Sequence, residues 1–323
     1  MLAPNVLRKW LPVRFVHSSR RLAAMAFETE RMKLPAVAGT HAARRLALFR
    51  EGPSGVMERW ALGLAWTLSP KRIRGIPNIV RLCFDELLAP DHALPDPENA
   101  FAEPAGLAGI VHDLAPSALM TAYRRGLYPF AHIPPLKWWS PPERSVLFFN
   151  ELHIARRIRR QMRQADYTVT FDRDFESVIA ACAGQRQGRW HLTWITPRIM
   201  RAYADLHDQG YAHSFEVWNE RGILVGGGYG VAIGNVFVTE SQFSRESNTS
   251  KIGFLVLNWH LAHWGFALND GKLFTPTCRD MGFREIARSE YLDHLTREAH
   301  RPDKKGRWQV EADVPTVGCW QPG

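Results

Sequence analysis

The sequence predicts an α+β fold that is built around a central mixed β-sheet. Segments with helical apolar spacing alternate with short strand-like runs throughout residues 113–287. Several apolar runs between residues 213 and 238 are separated by tight-turn residues, a pattern that is typical of antiparallel strands. The chain has 323 residues, of which 46% are hydrophobic, so it is long enough and apolar enough to bury a core around such a sheet.

A proline-rich and acidic stretch, Ala89–Pro104, is typical of a linker and marks the main boundary in the chain. The whole net charge of +9 falls before it, in residues 1–90, because the remaining residues hold equal numbers of acidic and basic side chains. We therefore predict four regions: a basic extension over residues 1–100 that is partly disordered or helical, a small N-terminal domain over 101–150, a larger catalytic domain over 151–298 and a loose tail over 299–323.

The basic extension suits nucleic acid or an anionic surface. Its arginine-rich start has no acidic residue before Glu28, which is also typical of an organelle transit peptide, so both interpretations stay open. The sequence has no apolar run of about 18 residues, so we expect no membrane-spanning helix and a cytoplasmic protein. The four cysteines are widely scattered, which predicts neither a zinc site nor a disulfide framework.

Apolar spacing, capping residues and glycine stops place the elements in order. Helices are expected over His41–Trp66 with a break at Gly52-Pro53, and over Ile79–Leu88, Ser117–Arg125, Glu151–Gln164, Asp174–Cys182, Pro197–Gln209 and Lys251–Trp264. Strands are expected over Tyr167–Phe171, His213–Trp218, Ile223–Val225, Tyr229–Ile233, Val236–Val238, Phe266–Asn269 and Met281–Ile286. This order resembles the core of an acetyltransferase-like (GNAT-like) domain.

Two carboxylates, Glu240 and Asp270, follow predicted strands and are the candidates for chemistry. A carboxylate at a strand end can accept a proton or hold an ammonium group, and nearby aromatic side chains would supply an apolar receptor. The pair suits a reaction between an amine and an apolar acyl group. The glycines Gly226–Gly230 lead into another strand and not into a helix, which argues against a phosphate loop. No spacing of histidines or cysteines suggests a metal, so neither a metal nor a cofactor is predicted.

Five arginines crowd the predicted helix Glu151–Gln164, and they cannot all be buried. They form either a solvated face or a face that binds phosphates, and both interpretations stay open. The five are Arg156, Arg157, Arg159, Arg160 and Arg163.

A series of distinctive motifs runs in order from about Gly106 to Leu292, over half of the chain. The motifs are Asp113-Leu-Ala-Pro116, Ala122-Tyr-Arg-Arg-Gly-Leu-Tyr-Pro-Phe130, Lys137-Trp-Trp-Ser-Pro-Pro-Glu-Arg144, Leu152-His-Ile154, Thr193-Trp-Ile-Thr-Pro197, Ala212-His-Ser-Phe-Glu-Val-Trp218, Leu224-Val-Gly-Gly-Gly-Tyr-Gly-Val231, Glu240-Ser-Gln-Phe-Ser-Arg245 and Asn248-Thr-Ser-Lys251. Together they resemble the leucyl/phenylalanyl-tRNA–protein transferase family.

The resemblance implies a small N-terminal domain followed by an acetyltransferase-like C-terminal domain. It also implies the transfer of Leu or Phe from aminoacyl-tRNA to the α-amine of a protein that begins with Arg or Lys, which marks that protein for degradation. The aminoacyl ester is already activated, so the reaction needs no cofactor, and the enzyme's task is to align the amine and the carbonyl and to remove a proton. The expected partners are aminoacyl-tRNA and the acceptor protein, and we expect a monomer.

The resemblance also implies roles for individual residues. The catalytic candidates are Asp270, Lys272 and Glu240. The substrate-binding candidates are Trp138, Trp139, Trp194, Tyr229, Gln242, Phe243 and Ser244. The arginines of the helix, Arg156, Arg157, Arg159, Arg160 and Arg163, become candidates for binding tRNA.

The chain departs from the family pattern at several of these positions. The family's proton-relay motif Leu-Ile-Asp-Cys-Gln stands here as Leu268-Asn-Asp-Gly-Lys272, so a lysine replaces the glutamine. A protonated lysine cannot accept a proton. Thr239 and Gln242 replace a glycine and a methionine, and Val111-His112 replaces two glycines. These departures leave two alternatives: an acetyltransferase-like enzyme with another acyl donor, or a non-catalytic RNA-binding paralogue.

Overall fold

The computed structural model describes residues 41–164, 167–185 and 191–322. The chain divides into two compact units, Met1–Ala43 and Arg44–Gly323. The expectations for the start of the chain, including the transit peptide, lie outside the described residues. No helix among the described residues is both long and apolar enough to cross a membrane.

Three helices form the described part of the predicted basic extension: α1 (His41–Leu48), α2 (Pro53–Thr67) and α3 (Ile76–Leu88). The sequence predicted the break between the first two at Gly52-Pro53, and α2 begins at that proline. Proline is favoured there because the first turn of a helix leaves its N–H groups without intrahelical partners. The described part of this stretch is therefore largely helical.

A three-stranded antiparallel sheet follows, with strand order β1-β3-β2. Its strands are β1 (Leu107–Ile110), β2 (Tyr128–Phe130) and β3 (Lys137–Trp139), and helix α4 (Pro116–Arg124) connects the first two. The central strand carries both tryptophans of the Trp138-Trp139 pair, and Trp139 lies opposite Leu107 and Tyr128.

A seven-stranded sheet organises the rest of the chain, with strand order β10-β4-β9-β8-β7-β6-β5. The strands are β4 (Glu143–Leu147), β5 (Thr168–Phe171), β6 (Ala212–Trp218), β7 (Leu224–Ile233), β8 (Val236–Ser244), β9 (Leu268–Lys272) and β10 (Arg284–Ala287). The β8–β9 pair is parallel and the other five are antiparallel, so the predicted mixed sheet is confirmed. Strand β4 belongs to this sheet, although the sequence placed it in the small N-terminal domain.

Strand β7 runs without interruption through the glycine cluster, where the sequence predicted two separate strands. The glycines serve close packing inside the sheet. A Cβ on Gly227 would lie 2.7 Å from the carbonyl oxygen of Phe215, and one on Gly230 would lie 2.4 Å from that of Val238. These approaches exclude any side chain, because real Cβ atoms do not come that close to backbone oxygens. The glycines are thus strand residues and not a break.

Helices cover both faces of the large sheet. They are α5 (Arg156–Gln164), α6 (Phe175–Ala183), α7 (Pro197–Asp208), α8 (Thr249–His263), α9 (Pro276–Asp280), α10 (Arg288–Glu298) and α11 (Val314–Gly318). Adjacent residues of β7 show the two faces, since Val231 packs into one hydrophobic cluster with α6 and α7, and Ala232 packs into a second with α8. The core is therefore split by the sheet into two layers.

The C-terminal segment, residues 304–320, packs onto the second layer, in contrast to the loose tail that the sequence predicted. Trp308 is buried, stacks on the His213 ring with centroids 3.6 Å apart, and donates its backbone N–H to Asp172 Oδ2 at 2.8 Å. Val314 and Val317 of α11 are buried as well. The apolar side chains that hold this segment are too widely spaced to give a periodic pattern in the sequence.

Candidate functional site

The register of two parallel strands brings Glu240 and Lys272 together. Val238 of β8 lies opposite Asp270 of β9. Two residues further along each strand, on the same face, Glu240 and Lys272 are neighbours, because side chains in a strand alternate between faces. The Lys272 ammonium donates to Glu240 Oε2 with Nζ and the oxygen 2.7 Å apart. The sequence named both residues as catalytic candidates, and the fold places them in direct contact.

Tyrosines from two helices hold the other side of the Glu240 carboxylate. The Tyr123 hydroxyl of α4 donates to Glu240 Oε1 at 2.7 Å, and the Tyr203 hydroxyl of α7 contacts the Tyr123 hydroxyl. Because Tyr123 uses its proton on the carboxylate, Tyr203 is the donor in the second bond. Burial and the Glu240 charge raise the pKa of both tyrosines well above the usual value, so both remain neutral donors.

Lys272 lies between the carboxylate and two aromatic rings. Its Nζ is 5.2 Å from the centroid of the Tyr128 ring and 5.6 Å from that of the Trp194 ring, within the range of cation–π attraction. We call Glu240, Lys272, Tyr123, Tyr128 and Trp194 the Glu240 site. The Lys272 side chain is 11% exposed and that of Glu240 is 0% exposed, so solvent reaches the site from the lysine side.

Asp270 lies beside this site but is fully enclosed. Arg144 of β4 donates to both of its oxygens, with Nε–Oδ1 at 2.9 Å and a second nitrogen 2.7 Å from Oδ2. The Tyr291 hydroxyl donates to Oδ2 at 2.9 Å, and the backbone N–H of Lys272 donates to Oδ1 at 2.7 Å. Burial lowers the pKa of Arg144, but the charge of Asp270 outweighs this effect, and the pKa is raised. The carboxylate thus accepts from four donor groups on three residues and has no exposed surface.

An aromatic wall extends from the Glu240 site toward the three-stranded sheet. The Phe130 ring contacts the rings of Trp194 and Trp139 with centroids 5.8 and 6.4 Å apart. Trp139 is partly exposed and donates Nε1–H to the carbonyl of Phe130 at 2.8 Å. Trp138 differs, because it is 2% exposed and packs in the core. Of the three tryptophans that the sequence selected, Trp194 and Trp139 lie along this wall.

The other four substrate-binding candidates are spread along β7 and β8. Tyr229 and Phe243 are buried in the first core layer. Gln242 is partly buried and lies opposite Gly228. Ser244 is exposed at the end of β8, where its Oγ lies 2.8 Å from that of Ser250. None of the contacts above that define the Glu240 site involves these four side chains.

The arginine-rich helix α5 carries its charges on the surface of the second layer. Ile158 and Met162 are buried, and four of the five arginines are exposed, namely Arg156, Arg157, Arg160 and Arg163. Arg159 is partly buried and donates to the carbonyl of Trp320. An open groove of about 360 Å³ lies against this helix and is lined by Arg157, Arg160, Gln161, Gln164, Ser247 and Asn248.

No group of three or more His, Cys, Asp or Glu side chains within the described ranges has an arrangement that could hold a metal ion. The two site carboxylates are instead bonded to Arg144 and Lys272. The site as it stands can hold charge and exclude water by hydrogen bonding and aromatic packing.

The sequence missed the side chains that complete the site, namely Arg144, Tyr123, Tyr128, Tyr203 and Tyr291. One signal was available. Arg144 is the only charged residue among the four buried positions of strand β4, and a buried arginine demands a carboxylate. The tyrosines gave no signal, because Tyr123, Tyr203 and Tyr291 have the helical spacing of ordinary core residues and Tyr128 lies in a three-residue strand.

Comparison with known proteins identifies the chain. The sequence model of leucyl/phenylalanyl-tRNA protein transferase matches residues 146–296, and the model of that family's N-terminal domain matches residues 112–142. Among similar proteins, the leucyl/phenylalanyl-tRNA–protein transferase of Azotobacter vinelandii is 45% identical over 211 residues, which cover 65% of this chain and 92% of the relative. That of Pseudomonas syringae is 46% identical over 209 residues, covering 64% and 90%. That of Chromohalobacter salexigens is 45% identical over 228 residues, covering 70% and 88%. The chain therefore belongs to the leucyl/phenylalanyl-tRNA–protein transferase family.

Proposed function

We propose that the protein transfers leucine or phenylalanine from aminoacyl-tRNA to the N-terminal amine of an acceptor protein. The observation that carries this function is the identity of 45–46% to transferases of that name over about nine-tenths of their length. No finding favours the alternatives of a different acyl donor or a non-catalytic RNA-binding protein.

The reaction is an acyl transfer that needs alignment more than activation. The acceptor nitrogen attacks the ester carbonyl, a C–N bond forms, and the C–O bond to the terminal ribose breaks. The ribose oxygen takes up a proton, and the attacking nitrogen loses one. Holding the two reactants in contact can supply roughly 7–11 kcal/mol of the barrier in favourable cases. The Glu240 site, with its polar centre and apolar wall, is suited to such alignment.

The contacts of the site residues support the roles that we assign to them as part of this proposal. Trp194 and Trp139 stack against the acyl group or the terminal adenosine, and Glu240 orients the polar end of the donor through the Lys272 ammonium that it holds. The buried Trp138, Tyr229 and Phe243 support the sheet beneath the site. Gln242 and Ser244 extend the surface along β8.

Asp270 takes a different role from the one that the sequence gave it. A base that removes a proton from the attacking amine must reach that amine, and Asp270 is 0% exposed and accepts from four donor groups. We propose that Asp270 is a positioning residue. It orients Lys272 through the backbone bond and thereby fixes the Glu240 site.

The proposal extends to the acceptor protein, the oligomeric state and the cellular compartment. The acceptor begins with Arg or Lys, and the added residue marks it for degradation by the N-end rule. The protein acts as a monomer in the cytoplasm. We further propose that the three-stranded sheet with helix α4 acts as the small N-terminal domain and that the large sheet is an acetyltransferase-like core.

Helix α5 supplies the proposed contact with tRNA. Four exposed arginines on one short helix, beside an open groove of about 360 Å³, suit the spaced phosphates of a nucleic acid backbone. Arg159 anchors the C-terminal segment, so it is the least available of the five.

A transfer assay tests the function directly. Labelled leucine and phenylalanine on tRNA are offered to peptides that begin with Arg or Lys, with N-acetylated peptides as the control. We expect label on the free peptides only, and loss of at least about tenfold in kcat/KM for Glu240→Gln, since a bond to a charged group is worth about 1.5–3 kcal/mol. A wild-type protein that transfers neither residue from any charged tRNA contradicts the proposal.

A further inference from the structure

The Lys272 ammonium occupies the position in the Glu240 site that is best suited to bind a cation. A buried carboxylate beside two aromatic rings is a favourable environment for an ammonium group. In this protein the ammonium is built in, because Lys272 Nζ is 2.7 Å from Glu240 Oε2 and within 6 Å of the Tyr128 and Trp194 ring centroids. The charge of Glu240 is therefore already balanced before any substrate binds.

The surroundings hold this lysine in place. Its backbone has a φ of +63°, a conformation that residues other than glycine rarely adopt, and its N–H is bonded to Asp270. Asp270 is in turn clamped by Arg144. The strand end is thus fixed by a buried ion pair, which aims the side chain at Glu240.

A second positive charge entering this site would meet an ammonium that is already paired. The donor's α-amine carries such a charge when it is protonated, and an ordinary α-amine has a pKa of about 7.7–8.0, so both forms exist near neutral pH. The neutral amine avoids the repulsion, and its lone pair can accept a hydrogen bond from the Lys272 ammonium, the exposed member of the pair.

We propose that Lys272 is a specificity-determining residue that makes the site select a donor whose α-substituent is uncharged. The inference rests on the proposed function, in which the aminoacyl group lies against the Lys272–Glu240 pair. The selected donor is the free-base form of Leu-tRNA or Phe-tRNA, and the same site accepts an α-hydroxyacyl group.

The atoms balance as in the parent reaction. An α-hydroxyacyl ester loses its ribose oxygen as the leaving group, and the acceptor nitrogen gains the hydroxyacyl group and gives up one proton. The hydroxyl replaces the amine almost without a change in size, so a comparison of the two donors isolates charge.

The experiment compares phenylalanyl-tRNA with 3-phenyllactyl-tRNA at pH 7. In the wild type at pH 7 we expect kcat/KM for 3-phenyllactyl-tRNA to exceed that for phenylalanyl-tRNA by roughly 6–11-fold, because only the neutral minority of the amine donor is selected. In Lys272→Met, Glu240 has lost its cation, so we expect a preference of at least about tenfold for the amine donor. Lys272→Arg keeps a cation and should keep the wild-type ratio. Lys71→Met, at an exposed lysine remote in sequence from the site, is the matched control.

The pH profile gives a second readout that a purely structural role would not change. For phenylalanyl-tRNA, the rising limb of kcat/KM should lie at lower pH in Lys272→Met than in the wild type, since the variant can bind the ammonium form. For 3-phenyllactyl-tRNA the two profiles should coincide in shape. The inference is wrong if an active Lys272→Met variant keeps the wild-type ratio of kcat/KM for the two donors and the wild-type position of the rising part of the pH profile. That result leaves the proposed function intact. Absence of transfer by the wild type from either donor would instead contradict the proposed function.

Discussion

Arg144 and Asp270 form a buried, bidentate ion pair between neighbouring strands of the large sheet. The arginine on β4 is 1% exposed, the aspartate on β9 is 0% exposed, and the shortest distance between them is 2.7 Å. Because the same aspartate also accepts the backbone N–H of Lys272, the pair connects the interior of the sheet to the Glu240 site. It therefore supports both the fold and the position of the site residues.

Removal of one partner of this ion pair should destabilise the folded protein. We expect Arg144→Met to lower the free energy of unfolding by about 3–5 kcal/mol, since it leaves a buried carboxylate without its cation. Urea denaturation measures the change. The free energy of unfolding should fall less in the double variant Arg144→Met with Asp270→Asn than in Arg144→Met alone, because no unpaired buried charge remains. As a control, Arg284→Met breaks an exposed pair with Glu151 and should cost less than about 1 kcal/mol. Equal losses in the two single variants would contradict the role of burial.

The exposed arginines of α5 should contribute to tRNA affinity through charge alone. We expect Arg157→Gln and Arg160→Gln each to weaken tRNA binding and to reduce the slope of log K against log salt by about 1. Filter binding at several salt concentrations measures both quantities. Arg221→Gln, at an exposed arginine in the turn between β6 and β7, is the matched control. If that control weakens binding as much as the two helix variants do, α5 is not the contact.

The C-terminal segment should loosen in mild acid. His260 donates Nδ1–H to the carbonyl of Val256 at 2.7 Å, so its Nε2 is the acceptor for the backbone N–H of Glu311, also at 2.7 Å. Protonation of Nε2 would place two donors face to face. Burial lowers the pKa of His260, as it does that of His207, which accepts from Arg307.

The sign of this effect follows from the depressed pKa. The contribution of His260 to the stability of the docked segment is complete above pH 6.5, the ordinary histidine pKa. It is lost as the pH falls toward the lowered pKa of His260 in the folded protein. Hydrogen exchange of residues 304–320 should accelerate in this window, by up to about tenfold for each unit of pKa depression. His260→Gln should remove the His260 part of the acceleration, and His153→Gln, at an exposed histidine, should not. Exchange that is independent of pH in the wild type, after correction for the intrinsic rate, would contradict this account.

Glu216 should make the protein less stable as the pH rises. Its buried carboxylate accepts from the hydroxyls of Ser214 and Thr170 at 2.5 and 2.6 Å, and burial raises its pKa to about 7. The folded state therefore holds a proton that the unfolded state, with an ordinary pKa of 4.5, has already lost. The contribution of Glu216 to stability is complete below pH 4.5 and is lost as the pH rises through about 7.

Glu216→Gln isolates this contribution. The stability of the variant relative to the wild type should rise between pH 5 and pH 8 by roughly 1–3 kcal/mol, because the amide carries no titrating proton. Urea denaturation at both pH values gives the difference, and taking it between two proteins cancels the histidine titrations. A constant difference between variant and wild type would show that Glu216 does not change its protonation in this range.

Sequence pattern was sufficient for most helices and for the mixed sheet. Capping residues and glycine stops located α7 to within one residue, since Thr196 and Gly210 act locally. Strand β7 was predicted as two pieces, because the local preference of glycine for turns says nothing about the aromatic rings and backbone that press against it from other strands. Packing decided the outcome there.

The sequence predicted the site only in part, because contacts between residues far apart in the chain again determined its geometry. Glu240 and Lys272 are carried by motifs and were found, but their direct contact depends on the parallel register of β8 and β9. The enclosure of Asp270 depends on Arg144, 126 positions earlier in the chain. A sequence shows which residues can pair, and only the strand order shows which pairs form.

The strand order also dictates when the molecule can become active during its synthesis. Strand β4 lies between β9 and β10, which are made last of the seven strands. About 120 residues separate β4 from β9, and at 5–20 residues per second the ribosome needs roughly 6–24 s to make them. During that time Arg144 and the apolar residues of β4 have no sheet partners. A chain whose translation stops before residue 268 lacks Lys272, cannot close the sheet, and leaves β4 and one edge of β8 without strand partners, which exposes backbone groups that can pair with another chain.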